Sequence, residues 1–131
     1  MMQGQGGALS WTLVRVTFGL LLSLAHGIPK ALGDMGPFIA RVGSLGFPFP
    51  TFFAWCATLT EMVGGVLIAL GLFTRPAAAF AAFTMLVASF RHRGEPFAAM
   101  EKSLLFLTVF VALLIAGAGP WSLDARLRRK G

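Results

Sequence analysis

The chain has 131 residues, of which 56% are hydrophobic and 12% are charged, and its mean hydropathy is +0.78. Soluble domains carry about 25% charged residues, so this composition predicts an integral membrane protein with one domain, residues 1–131. The net charge is +6, but the basic residues lie at the ends of apolar stretches, so we expect no nucleic-acid partner. The single cysteine, Cys56, excludes an internal disulfide and a cysteine metal cluster.

Four apolar stretches are long enough to cross a hydrocarbon core of about 30 Å as helices. They cover about residues 8–27, 51–73, 76–90 and 102–117. The first ends before Pro29, and the second and third are joined by a turn of only about Thr74–Arg75. The connection at 28–50 is the longest and is rich in Gly, Pro and Phe, which favours a partly ordered cap at the membrane surface. The pattern predicts an all-α, four-transmembrane-helix up-down bundle with a long first loop.

The two ends of the chain are expected to lie in the cytoplasm. The first ten residues carry no basic charge, and Arg15 interrupts the following apolar run, so we do not expect a cleaved signal peptide. Apart from Arg15, which lies within the first span, the lysines and arginines divide equally between the two sides of a four-span bundle, five on each. The dense basic tail RLRRK, which lies near the end of the last span, favours the cytoplasmic side for both termini.

Basic and acidic side chains occur at membrane depth. Arg15, His26 and Lys30 follow helical spacing along one stripe of the first span, which predicts that the stripe faces the protein interior. Glu61 lies near the middle of the second span, where a lone charge costs on the order of 3 kcal/mol. Their estimated depths predict an Arg15–Glu61 ion pair, which either fixes the helix register or also lines a ligand pocket.

A second polar group is expected at the outer end of the bundle. Here the predicted topology places His26, Lys30 and His92 at one level. Two histidines could ligate a haem iron, but both lie near span ends, whereas a haem needs a deep slot between facing helices. His92 is flanked by Arg91 and Arg93 and could equally be an ordinary loop histidine. We predict no metal site.

The order and spacing of four segments resemble the DoxX family of small four-helix membrane proteins over about Val14 to Asp124. The segments are LVRVTFGLLLSLAHGIPKAL, EMVGGVLIALGLFTRPAA, MLVASFRH and AGAGPWSLD. The resemblance implies a multi-pass protein of the bacterial inner membrane that is associated with oxidoreductase systems. Some members of the family are subunits of a thiosulfate:quinone oxidoreductase, and others act beside redox-stress enzymes.

The resemblance also selects candidate site residues. Five residues match recurrent polar positions of the family: Arg15, Lys30, Glu61, His92 and Asp124. We predict that the first four bind a ligand, and that His26, Arg75 and Asp124 have structural roles. His26 matches no recurrent position clearly, and Trp121 occupies a variable one.

Three functions are compatible with this pattern. The first is an accessory membrane subunit, rather than a self-contained enzyme, whose buried polar residues offer a pocket for a quinone. No flavin, iron–sulfur or haem motif is present and no covalently bound cofactor is expected, so electrons would come from a redox-enzyme partner. The second is a non-catalytic anchor or assembly partner for such an enzyme. The third is a small-solute transporter that uses Glu61, for which four helices without a repeat would have to oligomerise.

Overall fold

The computed structural model describes residues 4–130, and these residues form helices and no strand. The helices are α1 Gly4–Leu32, α2 Gly36–Ser44, α3 Pro50–Leu70, α4 Thr74–Arg91, α5 Phe97–Ala116 and α6 Leu123–Lys130. The all-α prediction is therefore confirmed. Three of the helices, α1, α3 and α5, are long and apolar enough to cross a membrane.

Helices α1 and α3 run antiparallel and touch backbone to backbone. A Cβ atom on Gly19 would lie 2.7 Å from the Gly65 carbonyl oxygen, and one on Gly27 would collide with the Met62 backbone nitrogen. Small residues of this kind let two helices approach closely in a membrane. The contact aligns the second half of α1 with the middle of α3, and this alignment positions the site described below.

Helices α4 and α5 form a second antiparallel pair. Arg75 near the start of α4 contacts the end of α5, and Ser89 near the end of α4 shares a 2.7 Å hydrogen bond with Ser103 near the start of α5. The two pairs meet in an apolar core whose larger members are Leu22, Ile68, Met85, Phe106, Phe110 and Leu113. Many other leucine and phenylalanine side chains are exposed, as lipid-facing residues are in a membrane protein.

The prediction that the first helix ends before Pro29 is wrong. A π-helical turn at Ser23–Gly27 is followed by further α-helix at Ile28–Leu32. The extra residue in a π-turn leaves backbone groups in need of other partners, and proline is tolerated in a new first helical turn. Lys30 consequently lies on α1 and not in a loop.

The long connection after α1 contains helix α2, which the sequence did not predict. Val42 of α2 and Met35 before it pack against Ala54 of α3, with phenylalanines around them. This cluster holds α2 against the N-terminal end of α3. At the opposite end of the molecule, the basic tail forms helix α6, which was also not predicted.

Candidate functional site

An ion pair joins α1 to the centre of α3. Lys30 Nζ lies 2.7 Å from Glu61 Oε1, and the side chains are 28% and 3% exposed, respectively. The prediction that Glu61 pairs with Arg15 is therefore wrong. The continuation of α1 beyond Pro29 is the physical reason, because it brings the Lys30 ammonium group to the level of Glu61.

Two π-helical turns lie against each other at this level. Besides the turn in α1, α3 has one at Thr60–Gly64, which contains Glu61. The Ser23 hydroxyl donates a 2.9 Å hydrogen bond to the Met62 carbonyl oxygen, so a carbonyl in the π-turn of α3 obtains a partner from α1. Such turns are frequent at functional sites, and here the turn in α3 carries the buried carboxylate.

Arg15 has a different role from the one predicted. Its guanidinium group donates hydrogen bonds to the carbonyl oxygens of Ile68 at 3.0 Å, Ala69 at 2.7 Å and Trp121 at 2.9 Å. The first two acceptors belong to the last turn of α3, where carbonyl groups lack helical partners and a positive charge is favourable. Ile68 is seven residues beyond Glu61, about 10 Å along the helix. Arg15 therefore stabilises the end of α3 and does not line the cavity described next.

A cavity of about 290 Å³ opens beside the Lys30–Glu61 pair. It lies between α2, α3 and α4, and its walls are mainly apolar. Its apolar lining includes Phe38, Val42, Leu45, Phe47, Phe53, Phe80, Phe83, Met85 and Val87. Its charged lining residues are Lys30, Arg41, Glu61 and Arg91. An apolar cavity with a few polar groups at one place is the usual form of a small-molecule site.

The ion pair leaves hydrogen-bonding capacity free on the cavity side. Within residues 4–130, Glu61 Oε1 accepts one hydrogen bond from Lys30, and neither Glu61 Oε2 nor the other Lys30 N–H groups have a protein partner. Lys30 Nζ also lies 4.2 Å from the centre of the Phe38 ring, a favourable cation–π arrangement. The site thus offers a donor, an acceptor and an aromatic face together.

The two histidines do not line this cavity. The His26 ring packs edge-on against Phe106 on the side of α5, at 5.6 Å between ring centres. His92 Nε2 lies 3.0 Å from Arg91 Nη2, and His92 Nδ1 lies 3.1 Å from the Glu95 carboxylate. Since an arginine can only donate, Nε2 is the acceptor in this contact. His92 therefore reaches the cavity only indirectly, by orienting Arg91.

Arg75 and Asp124 occupy the opposite end of the bundle. Arg75 donates to the carbonyl oxygens of Leu114 at 3.1 Å and Ile115 at 3.2 Å, at the end of α5. The Asp124 carboxylate accepts hydrogen bonds from the backbone N–H groups of Phe73 at 2.8 Å and Thr74 at 2.9 Å, at the start of α4. Both side chains thus contact backbone groups at helix ends.

These contacts change the pKa of the Asp124 carboxyl group. Partial burial opposes its ionisation, but the backbone hydrogen bonds from Thr74 and Phe73 and the charge of Arg128 outweigh this effect. The pKa of Asp124 therefore lies below its ordinary value of 3.8. The bonds also hold Phe73 in a left-handed conformation with φ of 50°, which is unfavourable for a non-glycine residue.

Sequence reasoning missed two charged residues of the cavity, Arg41 and Arg91. From the sequence, both lie outside the predicted spans and count only toward the balance of basic residues between the two sides of the membrane. The helical spacing of Phe38, Arg41, Val42 and Leu45 could have indicated an amphipathic helix over this stretch. Arg91 extends α4 by one residue beyond the predicted end, a difference within the usual uncertainty of helix ends.

The lipid-facing surface and the three long apolar helices define an all-α, multi-pass membrane protein. Residues 10–93 match the family model for DoxX, so the chain belongs to the DoxX family. It is 32% identical over 117 residues to the inner membrane protein YphA of Escherichia coli (strain K12). This alignment covers 82% of this chain and 83% of that protein. It is also 33% identical over 141 aligned residues to the uncharacterized membrane protein Rv3486 of Mycobacterium tuberculosis, with coverage of 95% and 85%, respectively. No solved structure matches the chain significantly.

Proposed function

We propose that the chain is an accessory membrane subunit of an oxidoreductase system and that its cavity binds the head group of a quinone or a similar membrane-dissolved molecule. The observation that carries this proposal is the Lys30–Glu61 pair at the wall of an apolar cavity. Holding two charges in this environment is costly, and a buried pair can be replaced by apolar residues without loss of stability. A binding role gives a reason for charged groups at this position.

A quinone ring suits the groups that line the cavity. Its carbonyl oxygens would accept hydrogen bonds from Lys30, a hydroxyl group of the reduced form would donate to Glu61 Oε2, and Phe38 and Phe53 would flank the ring. The isoprenoid tail would leave the cavity toward lipid beside the exposed Phe80 and Phe83 rings. Electrons would be delivered by a partner redox enzyme, and this chain would supply the binding site.

The same proposal includes a four-span topology. Helix α4 has 18 residues and packs along α5 from end to end, so it would cross the bilayer with α1, α3 and α5. Both termini would then share one side. We place this side in the cytoplasm of the bacterial inner membrane, because the basic helix α6 follows the last span. The cavity would open toward the opposite surface.

Mass spectrometry of lipid extracts tests the proposed ligand. The wild type, purified in a mild detergent, is expected to retain quinone in an amount comparable with the protein. Lys30→Gln is expected to retain several-fold less quinone, because Gln carries no positive charge. Gln can still donate a hydrogen bond to Glu61. Lys102→Gln is the matched control, since Lys102 is exposed and lies outside the cavity lining.

The outcomes separate a ligand site from a scaffold. Equal melting temperatures of the three proteins would show that any loss of quinone reflects binding and not unfolding. Wild-type protein without any co-extracted small molecule, or equal retention in Lys30→Gln, would overturn the quinone site. Such a result would favour the second function, a membrane anchor for a redox enzyme.

A further inference from the structure

The charges that line the cavity do not balance. Lys30 and Glu61 neutralise each other, and Arg41 and Arg91 add two positive charges. Neither arginine has a carboxylate within 4.0 Å among residues 4–130. Within the same residues, the Arg41 guanidinium group makes no hydrogen bond, and the only one of Arg91 goes to His92. The lining of the cavity therefore carries two positive charges that no carboxylate of the described residues balances, with Arg41 exposed and Arg91 half-buried.

The unpaired charges lie at the shallow end of the cavity. Arg91 is the last residue of α4, whereas Phe80 is eleven residues earlier, about 16 Å deeper along the helix. Arg41 lies on α2, which packs against the N-terminal end of α3, at the same end of the bundle as the last residue of α4. Between the arginines and Phe80, the wall is formed by apolar residues such as Phe83 and Val87. The cavity is therefore charged at one end and apolar beyond it, which matches a lipid-like molecule whose polar head lies at the membrane surface.

We infer that Arg41 and Arg91 form an anion-recognising subsite that makes the cavity selective for single-chain amphiphiles with a carboxylate head. A planar guanidinium group matches a carboxylate in shape and binds it with two parallel hydrogen bonds. The chain of the ligand would run past Phe83 toward Phe80. The cavity volume corresponds to roughly ten water molecules, which suits one head group and a short length of chain better than two acyl chains.

This inference rests on the proposed function in one respect, namely that the cavity accepts a membrane-dissolved molecule. It adds that an acidic amphiphile binds better than a neutral one of the same length and competes with quinone for the space. Lys30 and Glu61 would contact neutral polar atoms of an occupant, and the two arginines would contact its negative charge. The two subsites are therefore separable by mutation.

Photo-crosslinking with a matched pair of probes tests the subsite. The protein is reconstituted in phosphatidylcholine vesicles with a diazirine derivative of dodecanoic acid or of dodecanol, at a pH where the acid is ionised. We expect the acid to label cavity peptides of α3 and α4 roughly tenfold more than the alcohol does, as a charge-assisted hydrogen bond predicts. Arg41→Gln and Arg91→Gln are expected to remove this preference. Arg93→Gln, which removes a nearby arginine outside this cavity, should keep it.

Each outcome supports or contradicts the inference. Equal labelling by acid and alcohol would overturn the anion subsite, while quinone retention in the lipid extracts would still support the proposed function. Preference for the acid that survives both arginine substitutions would also overturn it. Loss of the acid signal when phosphatidylglycerol is added, together with labelling of the cavity by a diazirine derivative of phosphatidylglycerol, would replace the single-chain ligand by an anionic phospholipid. Labelling by the acid in a protein that retains no quinone would support the subsite and overturn the quinone proposal.

Discussion

At the scale of single residues, Lys30 and Glu61 are unequal partners. Glu61 is almost fully enclosed, whereas Lys30 is partly exposed and has a long side chain that can turn toward the membrane surface. Lys30→Met leaves the carboxylate without its partner, so we expect it to destabilise the protein more than Glu61→Gln does. The double variant should recover part of the loss. Thermal unfolding of the four proteins in detergent should give a coupling free energy of about 1–3 kcal/mol.

The same measurement with Arg15 serves as the control. Arg15 contacts the end of α3 and has no contact with Glu61 among the described residues. Losses of stability from Arg15→Met and Glu61→Gln should therefore add to within about 0.5 kcal/mol. A strong coupling between these two, or strict additivity between Lys30 and Glu61, would contradict the pairing in the structure.

Asp124 makes the stability of the bundle depend on pH. Because its pKa is lowered in the folded protein, the carboxylate contributes its full stabilisation above the unfolded pKa near 4. This contribution is lost as the pH falls through the lower, folded-state pKa. We expect Asp124→Asn to cost roughly 1–2 kcal/mol at neutral pH, a typical value for a helix cap, and to cost less at pH 3. Melting curves across this range test the prediction.

A control separates the capping bonds from the loss of a negative charge. Asp34 is exposed and accepts one hydrogen bond, from the backbone of Gly36 two residues later. Asp34→Asn removes the same charge without touching the start of α4, so its loss of stability at neutral pH should be clearly smaller. If both variants lose the same stability, the contacts of Asp124 with Phe73 and Thr74 do not carry the effect.

At the scale of helices, the close approach of α1 and α3 depends on glycine at defined positions. A Cβ atom on Gly65 would lie 2.6 Å from the Gly19 carbonyl oxygen, a backbone atom that cannot move aside alone. A Cβ atom on the adjacent Gly64 would lie 3.9 Å from the Thr60 side chain, which is an ordinary van der Waals contact. We expect Gly65→Ala to cost about 1–3 kcal/mol and Gly64→Ala to be neutral or stabilising. Thermal unfolding of the two variants compares them directly, and equal effects would contradict this helix contact.

The four longer helices, α1, α3, α4 and α5, were largely predictable, because long apolar segments and Gly-Pro breaks constrain them from the local sequence alone, whereas α2 and α6 were not predicted. The partner of Glu61 was not predictable by the same reasoning. It depends on whether α1 stops at Pro29 or continues, and two π-turns that have no clear sequence signal decide the outcome. Helix depths counted from the predicted ends placed Arg15 opposite Glu61, and the longer α1 placed Lys30 there instead.

At the scale of the whole molecule, the polar residues divide between two ends with different roles. Near the chain termini, Arg15, Arg75 and Asp124 make hydrogen bonds to backbone groups at helix ends. Among the described residues, Arg15 Nε and Thr74 Oγ1 are buried there without a partner, but neither residue lines the cavity. Near the first loop, Lys30 and Glu61 face a cavity with unused donors and acceptors. From the sequence, Arg15 was grouped with Lys30 and Glu61 as a ligand-binding residue, because only tertiary contacts place it at the other end of the bundle.

The four-span topology predicts which loops reach the outside of the cell. In a Cys56→Ala background, single cysteines at the exposed positions Ser44, Gly94 and Arg126 can be tested with a membrane-impermeant maleimide. Ser44 and Gly94 should react in intact cells, and Arg126 only after the membrane is opened. If α4 did not cross, Gly94 would be protected and both Ser44 and Arg126 would react. If four spans ran in the opposite orientation, Arg126 alone would react. The three labelling patterns therefore distinguish the crossing of α4 from the direction of the whole bundle.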